Sequence, residues 1–231
     1  MRNGLLRFAA DLLWMMYPSL CAACGRPLFT GERCFCTPCL YYLPRTGYHL
    51  QPDNPLIRHF WGKVRIRQAT AYFYFSKGER VQRLIHQLKY KGRRDVGEVV
   101  GRLMGYELMK SAFQDTEVIV PVPLHAQRKK MRGYNQSDCF GEGLSASMQL
   151  PFYSEAIVRT QATSTQTRKH RYDRFKNVDN IFQVVDQELL SHKSILLIDD
   201  VITTGSTLIA CADSLTRLPG TTVSIAAIAC A

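Results

Sequence analysis

No apolar run in this chain approaches the ~18 residues that a membrane-spanning helix needs, which excludes integral membrane association as a reading. Internal repeats and low-complexity linkers are also missing, so a solenoid or a long disordered tail is not expected. Residues 4–17 are apolar enough to suggest a leader, but Arg7 and Asp11 interrupt them and no small-residue cleavage site follows cleanly. A cytoplasmic protein is therefore expected. Leu5, Phe8, Leu12, Leu13 and Met16 fall on one face of a helix that packs on the domain behind it or, alternatively, touches a membrane surface. Acidic residues are scarce. Nineteen Asp and Glu stand against 30 Lys and Arg, a formal net charge of +11, which favours an anionic partner, nucleic acid or polyphosphate, without choosing between them.

What the chain does have is size, cysteine and one dense motif. Its 231 residues, 46% of them hydrophobic, suffice for one good core plus a small module. Eight cysteines in a protein expected inside the cell point to metal or reduced thiols more than to disulfides. Cys21-x-x-Cys24 and Cys36-x-x-Cys39 are two knuckles, each able to aim both thiolates at one tetrahedral zinc, and no open, His-containing ligand set competes with them. A module this small has little else to hold it together, so a closed four-thiolate site would supply much of its folding energy. The alternative is a set of buried free thiols. Cys34 is either a substitute ligand or a spare thiol, since only Cys36 gives the x-x spacing to Cys39; Cys139, Cys211 and Cys230 read as core.

The motif is Ile195-Leu196-Leu197-Ile198-Asp199-Asp200-Val201-Ile202-Thr203-Thr204-Gly205-Ser206-Thr207. Its apolar start reads as a buried parallel strand, and Leu208, Cys211, Ala212, Leu215 and Leu218 recur at helical spacing up to Pro219-Gly220. The turn between them joins a strand's carboxyl end to a helix's amino end, where unpaired N–H groups and the helix dipole attract an anion. Gly205 permits close backbone approach, and Thr203, Thr204, Ser206 and Thr207 add hydroxyl donors, an arrangement suited to a sugar phosphate. Asp199 and Asp200 would repel each other unless sugar hydroxyls, a divalent cation or basic side chains met them. The plainer alternative is a capped helix with solvated acids.

Around this motif, Ala69 to Phe75 alternates as a strand, and Arg80 to Lys91 and Val99 to Phe113 read as amphipathic helices. Glu117 to Pro121 is a buried strand ending in a rigid turn, and Ala156 to Val158, Ile181 to Val185 and Thr222 to Ala229 are further strands. They suggest an α/β fold with a mostly parallel sheet of about five strands covered by helices. Positive charge gathers at residues 63–67, 77–94, 128–132 and 168–176. Arg80 and Arg83 read as a solvated helix face. Residues 160–176, basic and glycine-free, are a surface loop or a mobile lid.

The Asp199–Thr207 run resembles the phosphoribosyl pyrophosphate motif of type I phosphoribosyltransferases. Within that superfamily the chain resembles the ComF family, associated with competence and DNA uptake. The likeness rests on the two Cys knuckles, Leu88-Lys89-Tyr90-Lys91-Gly92, Val120-Pro121-Val122-Pro123-Leu124, Arg132-Gly133-Tyr134-Asn135-Gln136, and the Arg159-Thr160, Gln166-Thr167, Arg171, Arg174 and Asn177-Val178 positions. It spans nearly the whole chain. The resemblance implies a type I phosphoribosyltransferase-like domain at 51–231 (lead-in 51–115, core 116–231), after an amphipathic helix at 1–17 and a zinc ribbon at 18–50. It also implies that Asp199 and Asp200 hold ribose hydroxyls and that Thr203 to Thr207 hold the 5′-phosphate. The loop Val122, Pro123, Leu124 and His125 would bind pyrophosphate, helped by Arg128, Lys129 and Arg132, with Lys89 and Tyr90 beside the ligand. Read alone, His125 is equally a turn residue, Lys89 a surface lysine and Tyr90 a helix-end aromatic.

The activity implied is substitution at the ribose C1 of phosphoribosyl pyrophosphate, with Mg²⁺ balancing the leaving group. The alternative is a non-catalytic protein on the same fold, either a sensor of that precursor or a binder of single-stranded DNA using basic grooves with Tyr90, Tyr134 and Tyr172 as stacking platforms.

Overall fold

The computed structural model describes residues 18–76, 78–160 and 181–231. The expected helix at 1–17 and most of the loop or lid at 160–176, Tyr172 included, lie outside them. The strands in chain order are β1 (Ala69–Tyr74), β2 (Val118–Pro121), β3 (Ile157–Arg159), β4 (Phe182–Val184), β5 (Ser194–Ile202) and β6 (Thr222–Cys230). Four of them form an entirely parallel sheet in the order β1-β6-β5-β2. The apolar character of β5 and β6 follows from this central place, where both faces are covered. Ile195 and Leu197 enter one core layer and Leu196 and Ile198 the other, as a period of two requires.

The helices are α1 (Thr37–Tyr42), α2 (Pro55–Phe60), α3 (Arg80–Tyr90), α4 (Arg94–Leu108), α5 (Ala126–Arg132), α6 (Gln136–Met148), α7 (Gln187–Leu190) and α8 (Ser206–Thr216). One face of the sheet is covered by α3, α4, α6 and the cysteine module, the other by α2, α8 and the β3–β4 pair. Helices α4 and α6 cross closely: a Cβ at Gly101 would run into the Phe140 carbonyl, and one at Gly143 into the Glu98 carbonyl. Asn54 shows why α2 begins where it does. Its buried amide accepts from Leu56 N and Ile57 N at 3.0 Å and donates to Ala69 O at 3.0 Å, capping the helix and tying it to β1.

Three expectations change. The sheet has four strands, because β3 and β4 pair antiparallel with each other instead of joining it; Val158 and Arg159 are exposed, which a strand covered on both faces does not allow. The strand read as part of a lead-in is the sheet's edge, paired with β6. Its free side is covered by the chain leaving the cysteine module, with Thr46 N donating to Tyr72 O at 3.1 Å and Tyr74 N to Pro44 O at 2.9 Å. The helix expected at Val99 to Phe113 runs from Arg94 to Leu108, and Phe113 is buried in the following turn. Cys139, Cys211 and Cys230 are buried in the core, as expected.

Candidate functional site: an acid pair at the sheet's carboxyl edge and a four-cysteine cluster

Parallel pairing brings the carboxyl ends of β2 and β5 to one edge, where Val122 N donates to Ile198 O at 2.8 Å. β5 continues past its pairing with β2, which ends at Ile198, and Asp199 and Asp200 lie on that extension, Asp199 still paired with Ala227 of β6. Asp199 Oδ1 accepts from Ser137 Oγ at 3.2 Å and from Asp200 N at 2.8 Å, and Asp200 Oδ2 meets Lys89 Nζ at 2.9 Å. Burial first, and then the adjacent Asp200 carboxylate, push Asp199 up to about 7, against the opposing pull of the Asp200 N–H, Lys89 and Ser137. One acid is thus paired with an ammonium group while burial raises its neighbour towards neutrality. Two hard oxygen donors side by side suit a divalent cation such as Mg²⁺.

Beyond them the turn at Thr203 to Thr207 exposes all four hydroxyl side chains, with Thr204 Oγ1 and Ser206 Oγ 3.0 Å apart. Gly205 adopts φ +68° at the N-cap of α8. Both its conformation and its surroundings call for glycine, since a Cβ would lie 3.0 Å from Phe60 Cε1 and 3.4 Å from His59 Nε2. His59 Nε2 also bonds Thr204 O at 2.9 Å, so α2 props the turn from beneath. The first N–H groups of α8 have no partner within their helix and face this turn.

The Val122–His125 loop reaches the same edge. Val122 is buried and Pro123, Leu124 and His125 are half-buried. His125 caps α5, its Nδ1 accepting from Gln127 N at 3.3 Å, the turn-residue role among its two readings. Arg128, Lys129 and Lys130 are exposed on α5. Arg132 lies over the Tyr90 ring at 5.2 Å and donates to Gln136 Oε1 at 2.6 Å, while its buried Nε has no partner. Arg94 covers Tyr134 at 4.6 Å, Tyr134 OH donates to Leu88 O, and Asn135 Nδ2 bonds Val122 O at 3.1 Å while its side chain caps α6. The crevice therefore gathers Lys89, Tyr90, Arg132, the acid pair and the hydroxyl turn. Sequence reasoning missed Ser137, which sits one residue past the Arg132–Gln136 segment, and His59, for which no local signal exists.

The second cluster is closed. One sulfur from each of Cys21, Cys24, Cys36 and Cys39 lies within 4.8 Å of the others, and Cys24 and Cys36 Sγ are 3.6 Å apart. A tetrahedral zinc with bonds of about 2.3 Å places its sulfurs about 3.8 Å apart, so these four thiols can hold the ion. The backbone is preset for it: Gly25 N donates to Cys21 O at 2.9 Å, Leu40 N to Cys36 O at 3.0 Å, and Cys36 N to Cys21 Sγ at 3.3 Å. Burial raises Cys24, but the Arg26 N–H and the neighbouring thiols outweigh it and bring it down to about 6; burial raises Cys36 and Cys39. Cys34 stands outside this group. It is buried and packs with Asp95, its thiol pushed up by burial and by that carboxylate.

No protein-family model matches the chain. It is similar to the DNA utilization protein YhgH of Escherichia coli O157:H7, with 31% identity over 226 residues covering 90% of this chain and 95% of that protein. It is 34% identical over 131 residues to competence protein F of Haemophilus influenzae, covering 54% of this chain and 57% of that protein. Among solved structures, glutamine phosphoribosylpyrophosphate amidotransferase from B. subtilis, complexed with ADP and GMP, aligns with 61% of this chain and 30% of its own at TM-score 0.41 and 17% identity. No described helix is long and apolar enough to cross a membrane.

Proposed function

The chain belongs to the family of YhgH DNA utilization and ComF competence proteins, and from that premise we propose that it binds phosphoribosyl pyrophosphate, or a related sugar phosphate, with Mg²⁺ at the carboxyl edge of β5. The observation that carries this reading is the Asp199–Asp200 pair, met by Lys89 at 2.9 Å and followed, after Val201 and Ile202, by the glycine turn at the amino end of α8. The turn's hydroxyls and N–H groups take the 5′-phosphate, and the carboxylates take the ribose hydroxyls. Arg132, whose Nε lacks a partner, and the basic α5 face the pyrophosphate. Asp199 and Asp200 offer the hard oxygens that would hold Mg²⁺, which would balance the negative charge of the pyrophosphate. Substitution at ribose C1 is the chemistry such a complex supports, and positioning and charge neutralisation carry most of it.

A second reading has its own observation. Arg128, Lys129 and Lys130 form an exposed basic surface that makes no ion pair among the described residues, and relatives carry names tied to DNA utilization and competence. Single-stranded DNA is the partner such a surface would take. Thermal unfolding tests the first reading. At a hundredfold excess over Kd, phosphoribosyl pyrophosphate with Mg²⁺ adds about 2.7 kcal/mol of stability, roughly 5–10 °C for a chain of this size. An unchanged melting temperature at saturating ligand would overturn it.

A further inference from the structure

Helix α3 connects the cysteine cluster with the acid pair. Its apolar face, Val81, Leu84, Ile85 and Leu88, is buried in the same core as Cys21, Cys36 and Cys39. On its flank Arg83 Nη1 donates to Cys24 O at 2.7 Å, and just beyond its end Arg93 Nη1 donates to Leu20 O at 3.1 Å. The two guanidinium groups thus grip carbonyls at both ends of the Cys21-x-x-Cys24 knuckle. Arg93 is itself fixed by Asp95, with Nε to Oδ1 at 2.9 Å and Nη2 to Oδ2 at 2.8 Å. In the last turn of the same helix Lys89 reaches Asp200 at 2.9 Å, and Leu88 O receives the Tyr134 hydroxyl.

We propose that Arg83 and Arg93 are positioning residues through which the four-cysteine knuckle sets Lys89 on Asp200, so that an ordered knuckle raises the affinity of the crevice for a phosphorylated ribose. Two carboxylates at the floor of an anion site oppose the phosphate they sit beside, and Lys89 neutralises one of them. Lys89 can do so only while α3 holds its place, because an ion pair at 2.9 Å loses its hydrogen bond after a shift of about 1 Å. On this side α3 shares a core with the knuckle and is tied to it by two guanidinium bonds to its carbonyls. Metal release frees the knuckle's backbone, and with it the clamped carbonyls. Such a coupling is reciprocal, so ligand in the crevice must also strengthen metal retention.

The inference rests on the crevice binding a phosphorylated ribose, and the test separates the two. Titration calorimetry with phosphoribosyl pyrophosphate and Mg²⁺ is run on zinc-loaded wild type, Arg83→Ala/Arg93→Ala, Lys89→Ala and the triple variant, with zinc content measured for each. The double variant should bind about tenfold more weakly, the loss of one charge-assisted contact, and Lys89→Ala at least as weakly. In the Lys89→Ala background the arginine substitutions should cost less than about twofold, because their effect passes through Lys89. Wild-type affinity in the double variant, or an undiminished loss in the Lys89→Ala background, overturns the clamp alone; no binding by the wild type overturns the crevice reading with it. A second measurement needs no arginine variant. Ligand with Mg²⁺ should slow zinc release to a chromogenic chelator several-fold in the wild type and leave Lys89→Ala unchanged. Equal release rates with and without ligand in the wild type contradict the proposal.

Discussion

Two places in this protein crowd groups that repel when ionised, and they resolve the crowding in opposite ways. The four thiols turn toward one another inside a module of turns, with Sγ atoms within 4.8 Å. That is a closed set able to hold a tetrahedral metal. The two carboxylates sit at an edge where one is met by Lys89, its neighbour is pushed up to about 7, and hydroxyls, N–H groups and Arg132 surround the opening. Held by a metal, the closed set would serve folding; the half-compensated pair at the sheet's edge is where the proposed ligand would bind. Polar groups of like charge thus mark function only together with what surrounds them.

The contrast breaks most readily at the closed cluster. Cys21→Ser should abolish zinc retention and cost about 3 kcal/mol or more of stability, about 6–12 °C in Tm. A zinc content by metal analysis that is unaffected by the substitution would make the cluster a set of ordinary core thiols. At the open site the expected loss is of ligand response, not of fold. Asp199→Asn/Asp200→Asn should unfold cooperatively near the wild-type temperature yet lose most of the ~2.7 kcal/mol that saturating phosphoribosyl pyrophosphate and Mg²⁺ confer.

Acidity sharpens the comparison further. A carboxyl raised in the folded state from an unfolded value near 4 contributes stability that is fully present below about pH 4 and lost as pH rises through about 7. Asp199→Asn cannot ionise, so it should exceed the wild type by up to about 4 kcal/mol at pH 8, the gain fading by pH 4. A constant difference across that window, read from melting curves, would show that Asp199 does not hold its proton. The smallest expected effect belongs to the basic helix. If Arg128, Lys129 and Lys130 each contact a phosphate of single-stranded DNA, neutralising them together should lower the slope of log affinity against log salt by about 2. An unchanged slope removes α5 from any DNA surface.

Much of this was legible in the sequence, for physical reasons that also explain the rest. Strands β2, β5 and β6 announce themselves because burial on both faces leaves unbroken apolar runs, and α3 because Val81, Leu84, Ile85 and Leu88 keep a helical period. The Asp pair and the glycine turn are contiguous, so spacing alone places them at a strand end. Pairing across the chain is not written locally. The edge position of β1 depends on β6, far along the sequence, and the separation of β3 and β4 depends on their finding each other. The same limit applies to the site. Lys89 came from a family likeness and Ser137 and His59 from nothing local, because each reaches the acid pair or the glycine turn only through the packing of α3, α6 and α2.

Whether the acid pair receives a ligand is the central question for this protein. Isothermal titration of the zinc-loaded protein with phosphoribosyl pyrophosphate, with and without Mg²⁺, measures this directly. One molecule should bind per chain, more tightly with Mg²⁺, and ribose 5-phosphate should compete better than 2-deoxyribose 5-phosphate because the carboxylates hold the sugar's hydroxyls. No heat of binding at millimolar ligand, or binding that survives Asp199→Asn/Asp200→Asn unchanged, would contradict the proposed site.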